Sequence, residues 1–178
     1  MRTERIAALV LAGLTALCCV SCDHQSVPVY VSSESEQPIA TLYGLYDVVR
    51  VVDGDTIIVS IGGEDTRIRF IGVDTPESVN PDESLNSEQG AIAADFTKEL
   101  LTGQQVYLEY DKERTDKYDR VLAYVYLSDG ETMVETELLN SGMARTMTIE
   151  PNTKYAVYFE QLEAAAAEKK IGIWSNIN

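Results

Sequence analysis

LYDVVRVVDGDTIIVSIGGEDTRIRFIGVDTPES, from Leu45 to Ser78, is the stretch on which the fold turns. Two β-branched runs, Leu45–Val52 and Thr56–Ile61, flank Asp53-Gly54-Asp55, a residue set suited to a tight hairpin. Gly62-Gly63 then leads into a third run, Thr66–Val73, with Ile68 and Phe70 on one side and Arg67 and Arg69 on the other. That run stops at Asp74-Thr75-Pro76-Glu77, where two carboxylates lie three residues apart on either side of a proline. Further along, QVYLEY from Gln105 and RVLAYVYL from Arg120 have the same strand composition. Five short strands with helices between or after them predict an α+β chain built on a small barrel.

Three helices are legible. In LNSEQGAIAADFTKELLTG, from Leu85, Ala91, Ala94, Phe96 and Leu101 recur at near-helical spacing, and Gly103 is a natural stop. VETELLNSG is short and ends at Gly142. The third is predicted to start at Pro151-Asn152 and end at Lys169, Lys170 and Gly172, with its basic residues suiting the C-terminal end of the helix dipole.

The N-terminal segment has a different character. Arg2 and Arg5 precede an apolar run from Ile6 to Val20, too short for a comfortable membrane span, so residues 1–22 read as an export signal. The segment resembles a bacterial lipoprotein signal, and Cys22 after the small Ser21 is the expected lipidation site; a secretory signal cut nearby is the alternative. Residues 23–44, with Pro28, Pro38 and a Ser/Glu cluster, read as a flexible linker, and residues 45–178 as the folded domain. The protein is expected to be exported and held to the membrane only through its lipid.

Residue usage excludes several chemistries. All three cysteines, Cys18, Cys19 and Cys22, lie in or at the end of the signal, and His24 is the one histidine. Internal disulfides, thiolate catalysis, Cys-based zinc sites and a serine–histidine triad are therefore outside the domain's means. The chain carries 14 Lys and Arg against 29 Asp and Glu, a formal net charge of −15. Such a field favours divalent cations and opposes a polyanion.

Carboxylates and guanidinium groups remain. If the hairpin and the third strand are neighbours, Asp55 and Asp74 meet at one end of the sheet, with Glu77 just beyond. Hard oxygen ligands of this kind suit Ca²⁺. A divalent cation together with the Arg69 and Arg120 guanidinium forks could hold one phosphodiester while a nearby carboxylate activates water. Each residue also has an ordinary reading: Asp53–Asp55 as a plain hairpin turn, Asp74–Glu77 as a rigid polar turn, the arginines as a solvated strand face.

Four blocks then appear in a recognisable order: VVDGDT (Val51–Thr56), RFIGVDTPES (Arg69–Ser78), ERTDKYDRVLAYVY (Glu113–Tyr126) and GIWSN (Gly172–Asn176). Together they resemble the staphylococcal nuclease (thermonuclease) family over about Leu45 to Trp174. The resemblance implies a five-stranded OB-fold barrel with three helices, acting as a Ca²⁺-dependent nuclease on DNA or RNA, as a monomer. By residue, it implies Asp55, Asp74 and the main-chain carbonyl of Thr75 as metal ligands, with Asp53 near the ion. Glu77 would be the catalytic carboxylate, Arg69 and Arg120 the holders of the scissile phosphate. Lys117 and Tyr118 would contact a terminal phosphate, and Trp174 would be core. A rival reading is an OB domain that binds nucleic acid without turnover. The sequence departs from the family in three places. The exposed basic loop after the catalytic Glu is replaced by one bearing Asp82, Glu83 and Glu88. Met147 and Ile149 fall near the two expected pocket tyrosines. Asp119 stands where the family often has Gly.

Overall fold

The computed structural model describes residues 38–78, 82, 84 and 86–175. The expected signal, Cys22, His24 and most of the linker lie outside these residues, as does Glu83.

The first hairpin closes as its turn residues require: β1 (Tyr43–Asp53) pairs antiparallel with β2 (Thr56–Ile61), Asp53 opposite Thr56, leaving Gly54-Asp55 at the tip. β1 begins at Tyr43, two residues before the run read from the sequence. Its register shifts twice along β2, between Val48 and Arg50 and between Val51 and Asp53. Such irregularities bend and twist a strand, so one long strand serves both neighbours. Its first half pairs with β5 (Gln105–Glu109), Tyr46 opposite Val106, and its second half with β2. β3 (Glu64–Phe70) continues the meander and pairs in parallel with β6 (Val121–Leu127), which returns antiparallel to β5. The order β1-β2-β3-β6-β5 is a closed barrel, which leaves no unpaired sheet edge. Alternate positions point inward: Ile57, Val59, Ile68, Phe70, Val106, Leu108, Ala123 and Val125 are all buried.

The third run is not one strand. It breaks after Phe70, and Gly72–Asp74 forms a short β4 that pairs with β7 (Arg145–Met147) outside the barrel. Gly72 makes the break possible: its φ is +82°, and a Cβ there would sit 2.7 Å from the Phe159 ring. The bend carries Asp74 out of the barrel wall.

The helices are α1 (Glu88–Leu101), α2 (Val134–Asn140) and α3 (Ala156–Glu168). α1 starts at a Ser87 cap whose hydroxyl accepts from the Gly90 N–H at 3.0 Å. α3 starts later than the Pro151-Asn152 signal predicts and ends before the lysines. Lys169 is its C-cap, and Lys170 follows with a left-handed φ of +53°. Trp174, expected in the core, is only partly buried under the Arg145 guanidinium, 4.6 Å from the ring centroid; the neighbouring Ile173 is the buried residue.

Two carboxylates lie deep in the core. Glu109 accepts from the hydroxyls of Tyr126 and Tyr155 and pairs with Lys154. Glu135 is fully buried, and its carboxylate accepts the Val125 N–H at 3.1 and 3.2 Å. Burial pushes the Glu135 carboxyl well above the usual carboxylate range, against the pull of main-chain N–H bonds. An acid raised in the folded state stabilises fully below its unfolded pKa, and that contribution is lost as pH rises through the folded pKa. Glu135→Gln, which cannot ionise and keeps an acceptor for Val125, should therefore flatten the stability profile from the ordinary carboxylate range upward. The difference in Tm between the two proteins should shift in favour of the glutamine variant as pH rises from acid to neutral. Thermal melts of both proteins across pH check this; parallel profiles would show that Glu135 does not set the pH dependence.

Candidate active site

Strand register brings the first two groups together. Thr56 pairs with Arg69, so Arg69 lies beside the β1–β2 turn that carries Asp55. The break at Gly72 then swings Asp74 to the same end. Arg69 is 7% exposed, and its Nη1 donates to the carbonyls of Phe70 and Val73 at 3.0 and 2.8 Å. Its Nη2 faces Asp74 Oδ1 at 2.9 Å and Asp55 Oδ2 at 3.1 Å. Two carboxylates, one from the β1–β2 turn and one from the end of β4, thus converge on one positively charged nitrogen.

Asp55 is held from all sides. The Thr75 N–H and hydroxyl donate to Oδ2 at 3.0 and 3.2 Å, and the Thr56 hydroxyl donates to Oδ1 at 3.0 Å. Asp74 is more open, with half its side chain exposed. Burial raises its pKa against the pull of Arg69, and the charges of Asp55 and Asp53 raise it further. A cation between Asp55 and Asp74 would relieve that repulsion. All the donors are hard oxygens, so the set suits Ca²⁺. No group of three or more His, Cys, Asp or Glu is arranged to hold a metal among the described residues. A bound ion would therefore draw its remaining ligands from main-chain carbonyl and water. Asp53 acts instead on the backbone around the site. It is buried, accepts from the Gly54 N–H at 2.9 Å, and accepts from the Ser78 hydroxyl at 2.6 Å, tying down the chain just after Glu77. Glu77 itself is exposed, while its main-chain carbonyl accepts from the Ser87 N–H at 3.0 Å.

Beside these carboxylates lies a cleft of about 450 Å³ lined by Arg69, Lys117, Tyr118, Arg120, Met147 and Ile149, among others. Arg69 is therefore common to the carboxylate group and the cleft. Arg120 is aimed by Asp116, which accepts its Nε at 2.7 Å and its main-chain N–H at 3.0 Å. Burial would raise the Asp116 carboxyl, but these bonds and the Tyr118 N–H draw it below its ordinary value. The tight turn that Asp116 closes needs a left-handed residue, and Asp119 supplies it at φ +58°. Aspartate tolerates this region better than most side chains, so the Asp for Gly departure is structurally accommodated. Lys117 and Arg120 both approach the Tyr118 ring, at 4.9 and 5.4 Å from its centroid. Met147 and Ile149 make this wall apolar where an aromatic pair was expected.

Residues 67–176 match the family described as staphylococcal nuclease homologue. The chain belongs to this family. It is 48% identical over 129 residues to a thermonuclease of Staphylococcus intermedius, spanning 72% of this chain and 75% of that protein. It is equally identical over 131 residues to a thermonuclease of Staphylococcus hyicus, spanning 74% and 76%. The endonuclease YncB of Bacillus subtilis is 44% identical over 128 residues, spanning 71% of this chain and 59% of that protein. The five-stranded barrel with three helices is the expected OB-type architecture of the family.

Several residues of this staphylococcal nuclease-like site are not legible in the sequence. Asp116, Ser78 and Thr97 all fix its geometry. The Thr97 hydroxyl donates from α1 to the Gly54 carbonyl at 2.7 Å and so holds the tip that bears Asp55. A Cβ on Gly54 would meet the Thr75 side chain at 2.7 Å. A threonine inside a helix is a weak hint of such a role; Ser78 and Asp116 read simply as loop residues. Of the acidic departures, Asp82 accepts from the Ser84 N–H and hydroxyl, and Glu88 lies in the first turn of α1, where negative charge suits the helix dipole.

Proposed function

We propose that this protein is an exported, Ca²⁺-dependent nuclease that hydrolyses phosphodiester bonds in DNA or RNA. The observation that carries this is the convergence of Asp55 and Asp74 on Arg69 Nη2 at the side of a cleft lined by Arg120, Lys117 and Tyr118. Asp55, Asp74 and the Thr75 carbonyl would hold Ca²⁺, which when bound neutralises charge building on the phosphate. Glu77, exposed three residues beyond β4, takes a proton from the attacking water. Arg69 and Arg120 present preorganised positive charge to the phosphate oxygens, each fixed by a carboxylate so that little reorganisation is needed. Lys117 and Tyr118 contact the terminal phosphate of a bound nucleotide. Cys22 is the proposed lipid attachment point, with the linker ahead of the folded unit as tether, and the enzyme is proposed to act as a monomer. Among the described residues no helix is long and apolar enough to cross a membrane. Incubating the purified domain with DNA and with RNA in Ca²⁺ tests the reading. Binding without any cleavage of either polymer would favour the non-catalytic module.

The charge balance sets the strength of substrate capture. With 29 acidic against 14 basic residues, favourable contacts to a polyanion should be confined to Arg69, Arg120, Lys117 and the bound cation. About two to four phosphate contacts are expected, giving a shallow dependence of affinity on salt of roughly −0.9 per contact on duplex. Titrating NaCl against duplex binding by the Glu77→Gln variant in Ca²⁺ measures this slope. A slope as steep as about −10, that of a strongly basic DNA-binding protein, would refute the electrostatic account.

A further inference from the structure

Gly90 sits inside the first turn of α1, where glycine is the poorest helix former after proline. Nothing in its backbone demands glycine, since its φ is not among the positive ones. Space does. A Cβ at Gly90 would lie 2.0 Å from the Glu77 carbonyl oxygen, 2.4 Å from the Glu77 carbonyl carbon and 2.8 Å from the Pro76 carbonyl oxygen. These neighbours are backbone atoms, which cannot swing aside as a flexible side chain would.

The same turn grips Glu77 in a second way. The Ser87 N–H donates to the Glu77 carbonyl at 3.0 Å, while the Ser87 hydroxyl caps the Gly90 N–H at 3.0 Å. The chain that leaves at Glu77 therefore returns at Ser87 onto the backbone it left. One helical turn, bare at Gly90, forms the seat on which the Pro76–Glu77 backbone rests. We infer that Gly90 is a positioning residue for the Glu77 carboxylate: the missing side chain lets α1 set the height of Glu77 relative to Asp55 and Asp74. This rests on the proposed catalytic role of Glu77. Asp55 is held separately, through Thr75 and through Thr97 farther along α1, so the ion-binding pair should be disturbed less than the carboxylate beyond it.

Gly90→Ala tests the inference. The added Cβ must displace Pro76–Glu77 by on the order of 1 Å, and a misplacement of that size costs about 10²-fold in rate. We expect kcat to fall about 10- to 100-fold, with substrate affinity within a few-fold. The decisive arm is the same substitution in a Glu77→Gln background, where kcat should fall by less than about 3-fold because the group being positioned is already gone. A loss as large in that background as in the wild type would show general damage to the site and overturn the inference. So would a folded Gly90→Ala protein with near-wild-type kcat. Should Gly90→Ala not fold, Ser87→Ala loosens the same turn by removing only the capping hydroxyl. Its smaller kcat loss must likewise vanish when Glu77 is Gln; an unchanged kcat for Ser87→Ala overturns the inference too. If Glu77→Gln alone leaves turnover intact, the failure lies with the catalytic assignment of Glu77 and not with its positioning.

Discussion

Glu77→Gln is expected to lower kcat by about 10²–10⁴, the range that a positioned general base supplies. The amide keeps the size of the side chain and removes both the charge and the proton acceptor. Glu77 is exposed, so the substitution leaves no buried group unpaired, and Tm should hardly move. Binding of substrate in Ca²⁺ should also change little, because the cations of the cleft are untouched. The expected signature is a fall in kcat without a matching change in substrate Kd. Single-turnover cleavage of a labelled oligonucleotide separates the two. Turnover within a factor of a few of wild type would assign the base to another group.

Removal of the metal is expected to have the largest effect of all. A chelator should abolish cleavage, and added Ca²⁺ should restore it. The reason lies in the charges around Arg69: Asp53, Asp55 and Asp74 crowd one end of the barrel, and burial already raises the Asp74 pKa. Without a divalent ion that crowding opposes a phosphate. Few protein ligands are available, so Ca²⁺ affinity should be weak, on the order of 10⁻⁴–10⁻³ M, the range of extracellular Ca²⁺ modules. Zn²⁺ should substitute poorly, since no soft donor lies in the set. Cleavage at full rate in excess chelator would exclude the ion from the reaction. Asp55→Ala should reproduce the chelated state, but with a stability loss as well. Its removal strands the Thr75 N–H and hydroxyl, which now donate to Asp55.

The elements legible in the sequence share a physical reason. Strand alternation around Ile57, Val59, Ile68 and Phe70 reflects a two-residue period that only one face of a barrel can satisfy. The Asp53-Gly54-Asp55 turn and the Gly103 stop after α1 are local chemistry, settled within a few residues of chain. The third run misleads because Phe70, Ile71 and Val73 are all strand formers; Gly72 among them is a weak local hint of a break, and that the Phe159 ring of α3 leaves no room for a Cβ there is visible only in the fold. The start of α3 lies later than its sequence signal because Pro151-Asn152 belongs to turns that precede it, with Asn152 bonded across to Glu113.

By itself, then, the amino-acid order determined the five barrel strands and three helices in outline, the supply of hard oxygen donors and guanidinium groups, and the exclusion of thiol and imidazole chemistry. Local periodicity and residue inventory are properties of the chain alone. Tertiary structure decided which charges meet. Asp55 and Thr75 are far apart in the chain yet share hydrogen bonds, Thr97 reaches back to Gly54, and Gly90 carries the backbone of Glu77. Such contacts depend on barrel register and on the close approach of a helix to a turn. They form only when the closed sheet and α1 bring distant segments within a few ångströms, a distance that no spacing along the chain encodes.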